Sequence, residues 1–264
     1  MQIVCIANQK GGVGKTTVTA GLAGALAAAG QRVLMIDLDP QASLSHWFNR
    51  VAEPAIAGAY DLYDTVARPL SAVTHATGEN AIALIPAQAA LATLERTAAT
   101  RAGLGGALVR AFANARSNYD YALLDCPPAV GVLMVSALAV ADLLIVPTQT
   151  EPMALRALES MQLTASRVER SRQRRLPLAI VPSMYDRRTR VGQDCMVELR
   201  TRFAATVWHE EIPIDTRLRE ASRHRATPAT FDAGSRGALA FTKLASWLSQ
   251  RGDSLAPFTE AHAA

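Results

Sequence analysis

The chain has 264 residues, half of them apolar and 19% charged, with 27 Lys and Arg against 23 Asp and Glu for a formal charge of +4. This composition can bury a large core, and it excludes disorder, collagen-like repeats and small disulfide scaffolds. Cys5, Cys126 and Cys195 stand far apart with no CxxC pair, which argues against a zinc site and for a reducing compartment where each is a small buried apolar residue.

Short apolar runs alternate with helical patterns from end to end. The first, 2–7, lies in MQIVCIANQ, where no basic stretch precedes an apolar one, so it predicts a strand and not a signal peptide. A glycine-rich turn follows and leads into a helix running to about Ala29. Strands are predicted at 32–37, 81–85 and 119–125. The most apolar stretch, 131–147, is interrupted by Asp142 and ends in Pro147. It falls short of the roughly 20 residues of a membrane span and predicts a buried helix followed by a buried strand at 142–147. Two more strands are predicted at 176–181 and 207–212. The last helix, 235–250, places Ala240, Leu244, Trp247 and Leu248 on one side. With only Lys243 and Arg251 as cations, that stripe predicts a core-facing helix and no stable membrane association. The strand runs are rich in Leu and β-branched residues and lack polar alternation, as in strands covered on both faces. The expected architecture is therefore α/β, a mostly parallel, doubly wound sheet flanked by helices on both faces, forming one domain over 1–251 with a frayed tail at 252–264.

Lys10-Gly11-Gly12-Val13-Gly14-Lys15-Thr16-Thr17 carries the strongest chemical signal, directly after the first strand and before the first helix. It fits the G-x-x-x-x-G-K-[ST] pattern loosely, with Asn8, Gln9 and Lys10 standing where the first glycine would fall. Glycines at 11, 12 and 14 let successive amides face one centre at the positive end of a helix, an anion nest. Lys15 would then reach the β- and γ-phosphates of a nucleotide and the Thr16 hydroxyl would ligate Mg²⁺. Of 27 basic residues only Lys10, Lys15 and Lys243 are lysines, so two within six residues point to chemistry that needs a compact ammonium. Such turns also occur without ligands, but a dinucleotide fold would show G-x-G-x-x-G, which is absent. Asp125 at one strand end, and Asp37 and Asp39 at another, supply carboxylates, although Asp is also a common cap and turn former.

NQKGGVGKTT resembles the deviant Walker A box of the ParA/MinD ATPases, a group with the P-loop NTPase fold. The likeness continues through IDLDPQ at 36–41, LIPA at 84–87, YDYALLDCPP at 119–128, VPTQTEPMAL at 146–155 and FDAGSRGA at 231–238, covering essentially the whole chain. It implies an ATPase using ATP and Mg²⁺ that forms a homodimer in the ATP state, with Lys10 reaching the partner's nucleotide. Asp125 would be the Walker B aspartate and Asp39 would orient the attacking water. Asp37 would shape the loop and the Mg²⁺ shell. Pro213 and Asp215 in IPID would lie at the adenine, although the family more often has Asn at the second position.

Arginines are concentrated in the second half: residues 151–264 hold 18 Lys and Arg against 13 acids, whereas 1–150 hold 9 against 10. They form three groups, 167–175, 187–190 and 217–225. The first closes a long helix, where cations suit the dipole and are often merely solvated. Arg188 in YDRRTR and Arg217 in DTRLREA resemble family arginines that bind nonspecific duplex DNA, with Arg187, Arg190 and Arg219 adding to the patch. Aromatic residues are not interleaved, which favours duplex backbone over stacked bases. The resemblance implies a cytoplasmic, nucleoid-associated switch acting with a ParB-like or cargo adaptor protein. A MinD-like membrane ATPase, an iron-sulfur electron donor and a regulator of polysaccharide secretion are the rival readings. The first would need a basic amphipathic C-terminal helix, the second shared cysteines, and only its partner would distinguish the third.

Overall fold

Seven strands form one sheet in the order β3-β4-β2-β5-β1-β6-β7. They are β1 (Gln2–Ile6), β2 (Val33–Asp37), β3 (His75–Ala76), β4 (Ile82–Ile85), β5 (Tyr121–Asp125), β6 (Leu143–Gln149) and β7 (Leu178–Ser183). All neighbours are parallel except β3 and β4. The computed structural model describes residues 1–50, 56–64, 68–101, 103–113 and 118–250, so the predicted tail at 252–264 lies outside the described residues.

Alternate strand residues feed two separate cores. Ile3, Cys5, Leu34, Ile36, Ala122 and Leu124 face one, and Val4, Ile6, Val33, Met35, Tyr121 and Leu123 face the other. Each face is covered by helices, which is why the strands read as unbroken apolar runs. The helices are α1 (Lys15–Ala28), α2 (Ser43–Trp47), α3 (Ala90–Thr97), α4 (Ala107–Phe112), α5 (Val132–Val140), α6 (Pro152–Arg172), α7 (Arg190–Arg202), α8 (Thr216–Arg223), α9 (Pro228–Phe231) and α10 (Arg236–Gln250). Helices α3 to α7 supply residues to the first core, while α1, α8 and α10 supply the second. Ala240, Leu244, Trp247 and Leu248 of α10 are buried in that second core. The stripe is therefore taken up internally, and no helix among the described residues is long and apolar enough to cross a membrane.

At the sheet edges one sequence expectation fails and one strand goes unforeseen. The strand predicted at 207–212 is reduced to isolated bridges, Val207 with Ile180 and Pro213 with Tyr185. Trp208 and Ile212 hydrogen-bond to β7, but the polar His209-Glu210-Glu211 between them carries the chain away from the edge. The antiparallel β3 has only two residues, too few for a period to show.

Helix α1 lies so close to α10 that a Cβ on Gly21 would overlap the Phe241 ring. Gly21→Ala is expected to destabilise the fold by about 1–3 kcal/mol through overpacking. Thermal unfolding should show this as a midpoint about 2–4 °C lower per kcal/mol.

Candidate functional site

The chain leaves β1 at the C-terminal edge of the sheet, where β1 has β5 on one side and β6 on the other, and turns at once into a loop that ends at α1. Asn8 anchors the start of this loop: its buried amide donates to the Pro147 carbonyl at 2.8 Å, and its Oδ1 accepts from the Lys10 amide at 3.0 Å. Gly12 and Gly14 take φ of +74° and +89°, the left-handed conformation that a side chain would strain. Lys15 opens α1 and is only 8% exposed, with Nζ donating to the Lys10 carbonyl at 3.3 Å. Burial lowers the pKa of this ammonium, and the nearby Asp125 and Asp39 carboxylates oppose that shift.

Next on α1, the Thr16 hydroxyl donates to Asp125 Oδ2 at 2.8 Å. Asp125 is 1% exposed, and its other oxygen, Oδ1, is buried without a hydrogen-bond partner. Burial, with Asp37 alongside, raises its pKa well above the usual carboxylate range. A buried carboxylate oxygen lacking a donor, beside a threonine hydroxyl, is a donor set suited to a hard divalent cation such as Mg²⁺. Asp37, the register partner of Asp125, is fully buried and accepts from Asp39 N at 3.1 Å, Ser45 N at 2.8 Å and Ser45 Oγ at 2.7 Å. These bonds bind it to its own loop, and burial pushes its pKa up to about 6. Asp39 is half-buried near Lys15, with Oδ1 accepting from the Gln41 amide at 2.9 Å.

A cavity of about 330 Å³ opens beside Gly14 and Thr17, and Trp47, Met184, Pro213 and Leu218 help to line it. An apolar cavity next to a phosphate loop suits a planar base. Asp215 also lines it, yet both its oxygens are taken: it caps α8 through the Arg217 amide at 3.0 Å and accepts from the Gly237 amide at 2.9 Å. Its contribution is to fix the starts of α8 and α10 around the cavity.

Residues 1–178 match the AAA domain family. The chain is 36% identical to the chromosome partitioning protein ParA of Caulobacter vibrioides, over 93% of this chain and 92% of that one. It is 38% identical to the chromosome-partitioning ATPase Soj of Thermus thermophilus, over 92% and 93% respectively. The chain belongs to the ParA/Soj family. Among solved structures, the cobyrinic acid a,c-diamide synthase from Mycobacterium smegmatis with bound ATP analog and magnesium is 32% identical and superposes with a TM-score of 0.83, covering 98% of this chain and 100% of that one.

In this ParA/Soj protein the first lysine of the loop, Lys10, is ion-paired with Glu151 at the start of α6. The segments that lead into two of the three arginine groups meet. Tyr185, just before Arg187, Arg188 and Arg190, bridges to Pro213, just before Arg217 and Arg219, and Arg236 Nη2 donates to the Ile214 carbonyl between them at 3.1 Å. Met184 and Pro213, just ahead of the two groups, line the base-sized cavity, and Arg219 itself lines it. Arg188 is paired with Asp186 through two bonds of 2.9 and 2.7 Å, which hold that carboxyl down at about 2. Arg217 pairs with Glu220 at 2.7 Å and Asp232 at 3.2 Å. Arg190 stands 3.7 Å from Asp194. Arg187, Arg219, Arg223 and Arg225 form no ion pair with any described residue.

The group at 167–175 lies elsewhere. Arg172 Nη1 donates to the carbonyls of Leu138 and Ala141 at 2.8 and 2.7 Å, and Arg174 Nη2 to Ala141 at 2.8 Å and Asp142 at 3.1 Å. These two arginines cap the C-terminus of α5 at the N-terminal edge of the sheet, opposite the glycine loop. Sequence reasoning also missed Trp47 and Met184. Neither belongs to a motif, and each reaches the cavity only through contacts far along the chain.

Proposed function

We propose that the protein is an ATP-dependent dimerising switch that holds nonspecific duplex DNA in its ATP state and lets go after hydrolysis stimulated by a ParB-like or cargo adaptor protein. The observation that carries the nucleotide part is the convergence of Lys15, Thr16 and the unpartnered Asp125 Oδ1 beneath one glycine loop. In this reading the amides of Gly11 to Thr17 cradle the phosphates, Lys15 neutralises the β- and γ-phosphoryl oxygens, and Pro213 and its neighbours receive the adenine. Thr16 and Asp125 would hold Mg²⁺, which would supply positive charge against the negative charge that develops on the phosphoryl oxygens. Asp37 keeps the loop after β2 in shape, and so sets where Asp39 stands to orient the attacking water.

Lys10 leaves Glu151 to contact the partner protomer's phosphates, so that nucleotide cements the dimer. Each protomer then contributes one arginine surface from 187–190 and 217–219, and the second DNA contact becomes effectively intramolecular. Among the described residues no arginine hydrogen-bonds the glycine loop, which fits slow intrinsic turnover accelerated by an adaptor, since an arginine finger is worth about 10³ to 10⁵ in rate. The protein would work in the cytoplasm on the nucleoid, in partition of a plasmid or chromosome or in placing a cytoplasmic cargo.

Asp39→Ala tests the cycle. With Mg·ATP this variant is expected to accumulate as a dimer by light scattering and to retain nonspecific duplex DNA, while with ADP it is a monomer. A monomer in ATP would remove Asp39 from the hydrolytic step.

A further inference from the structure

A phosphate loop can turn its amides inward only if its carbonyls are held outward, because the N–H and C=O of a peptide unit point in opposite directions. Two carbonyls of this loop are held by side chains from other parts of the chain. Ser183 Oγ donates to the Val13 carbonyl at 2.9 Å, and Gln149 Nε2 donates to the Gly12 carbonyl at 3.3 Å. The two donors are direct register partners, the last residues of the adjacent parallel strands β6 and β7. The loop leaving β1 thus arches across the neighbouring strand ends and is tied down at successive carbonyls.

Gln149 makes a second contact. Its Nε2 also donates to Met184 Sδ at 3.0 Å, and Met184 lines the base-sized cavity. Met184 takes φ of +53°, a strained conformation for a non-glycine residue, and its Cε lies 3.5 Å from where a Cβ on Gly14 would stand. The Gln149 amide, with two hydrogens, therefore hydrogen-bonds both the glycine loop and a wall of the cavity.

We infer that Gln149 and Ser183 are positioning residues for the nucleotide, a cross-strand pair that fixes the Gly12 and Val13 carbonyls so that the loop amides face the phosphates. Gln149 further ties that loop to Met184, so the phosphate and base halves of the site are set together. This rests on the nucleotide reading above. Gln149 does not line the cavity, whereas Ser183 stands in its wall and acts on the loop from there. Val13 is fully buried, so loss of the Ser183 hydroxyl leaves its carbonyl without that donor in a place water does not reach, and the loop relaxes.

The test compares Ser183→Ala, Ser183→Thr and Gln149→Leu in the full chain, using Mg·ADP, Mg·ATP and magnesium tripolyphosphate as probes. Ser183→Ala is expected to weaken both Mg·ADP and tripolyphosphate roughly tenfold and to raise KM for ATP with kcat nearly unchanged. Ser183→Thr, which keeps the hydroxyl, should return to within about threefold of wild type. Gln149→Leu should weaken ATP by a larger factor than tripolyphosphate, which has no base to feel Met184. The nucleotide-free melting temperature reports folding separately, and should Ser183→Ala fail to fold, the half-exposed Gln149→Leu carries the test. Nucleotide affinity unchanged in both Ser183→Ala and Gln149→Leu, or Ser183→Thr binding as poorly as Ser183→Ala, overturns the inference. A wild-type chain that binds no Mg·ATP overturns the nucleotide reading instead.

Discussion

Lys15→Ala is expected to abolish ATP turnover, lowering kcat/KM by at least about 10² to 10³, the loss seen when one charge-stabilising donor is removed from a preorganised site. The size of the effect follows from burial. At 8% exposure this ammonium has little water to solvate it and donates to the Lys10 carbonyl; burial lowers its pKa, and the Asp125 and Asp39 carboxylates oppose that shift. Its strength would be directed at phosphoryl oxygens that arrive with the nucleotide, in a setting where charges are weakly screened. Alanine leaves those two carboxylates facing the same space with no cation between them, so binding of a tetra-anion should fail as well. Arginine is not expected to rescue, because its planar fork is too broad for a position that receives a single point charge. Phosphate release and the stabilisation of the fold by Mg·ATP read the two losses. Turnover within tenfold of wild type would remove Lys15 from the site.

The parts of this protein that sequence exposes are those encoded locally. The glycine loop is legible because Gly12 and Gly14 need left-handed backbone and Lys15 follows at once; residue type and spacing state the geometry. Six strands appear within about two residues of their predicted places because burial on both faces forces unbroken apolar runs. Edges obey weaker rules, which is why a two-residue β3 is missed and the segment 207–212 is overread. Arginines are the least legible, since a guanidinium can be spent or free with no change in local sequence. Arg172 and Arg174 are consumed by carbonyls more than 30 positions away, whereas Arg188 is in an exposed pair with a carboxylate two residues back. Gln149 belongs to the same class, meeting Gly12 from 137 positions along the chain. What resists reading is long-range satisfaction of polar groups, which depends on the sheet order that places β6 and β7 beside β1.

Arg188→Glu combined with Arg217→Glu is expected to eliminate ATP-dependent binding of duplex DNA while leaving ATP hydrolysis in place. Both side chains are exposed, at 83% and 53%, on the loop and helix that flank one end of the sheet. Their ion pairs do not shield them from DNA, because exposed pairs are worth only about 0–1 kcal/mol and a phosphate can take over the guanidinium. Reversal does more than delete two contacts. Glutamate at 188 would stand beside Asp186, and glutamate at 217 beside Glu220 and Asp232, so each reversal creates a local cluster of carboxylates and the segments 186–190 and 215–225 lose their net positive charge. A substitution to alanine should be milder for that reason. Salt dependence separates a lost surface from a damaged fold: the slope of log K against log salt should be shallower by about 0.9 for every phosphate no longer neutralised, so Arg217→Ala alone should flatten it measurably. Arg175→Glu is the control, since Arg175 belongs to the group at the opposite sheet edge and its reversal should leave gel shifts with unrelated duplexes unchanged. If Arg175→Glu weakens DNA as much as the double variant does, the interface lies on the other edge of the sheet and nucleotide and DNA cannot be neighbours.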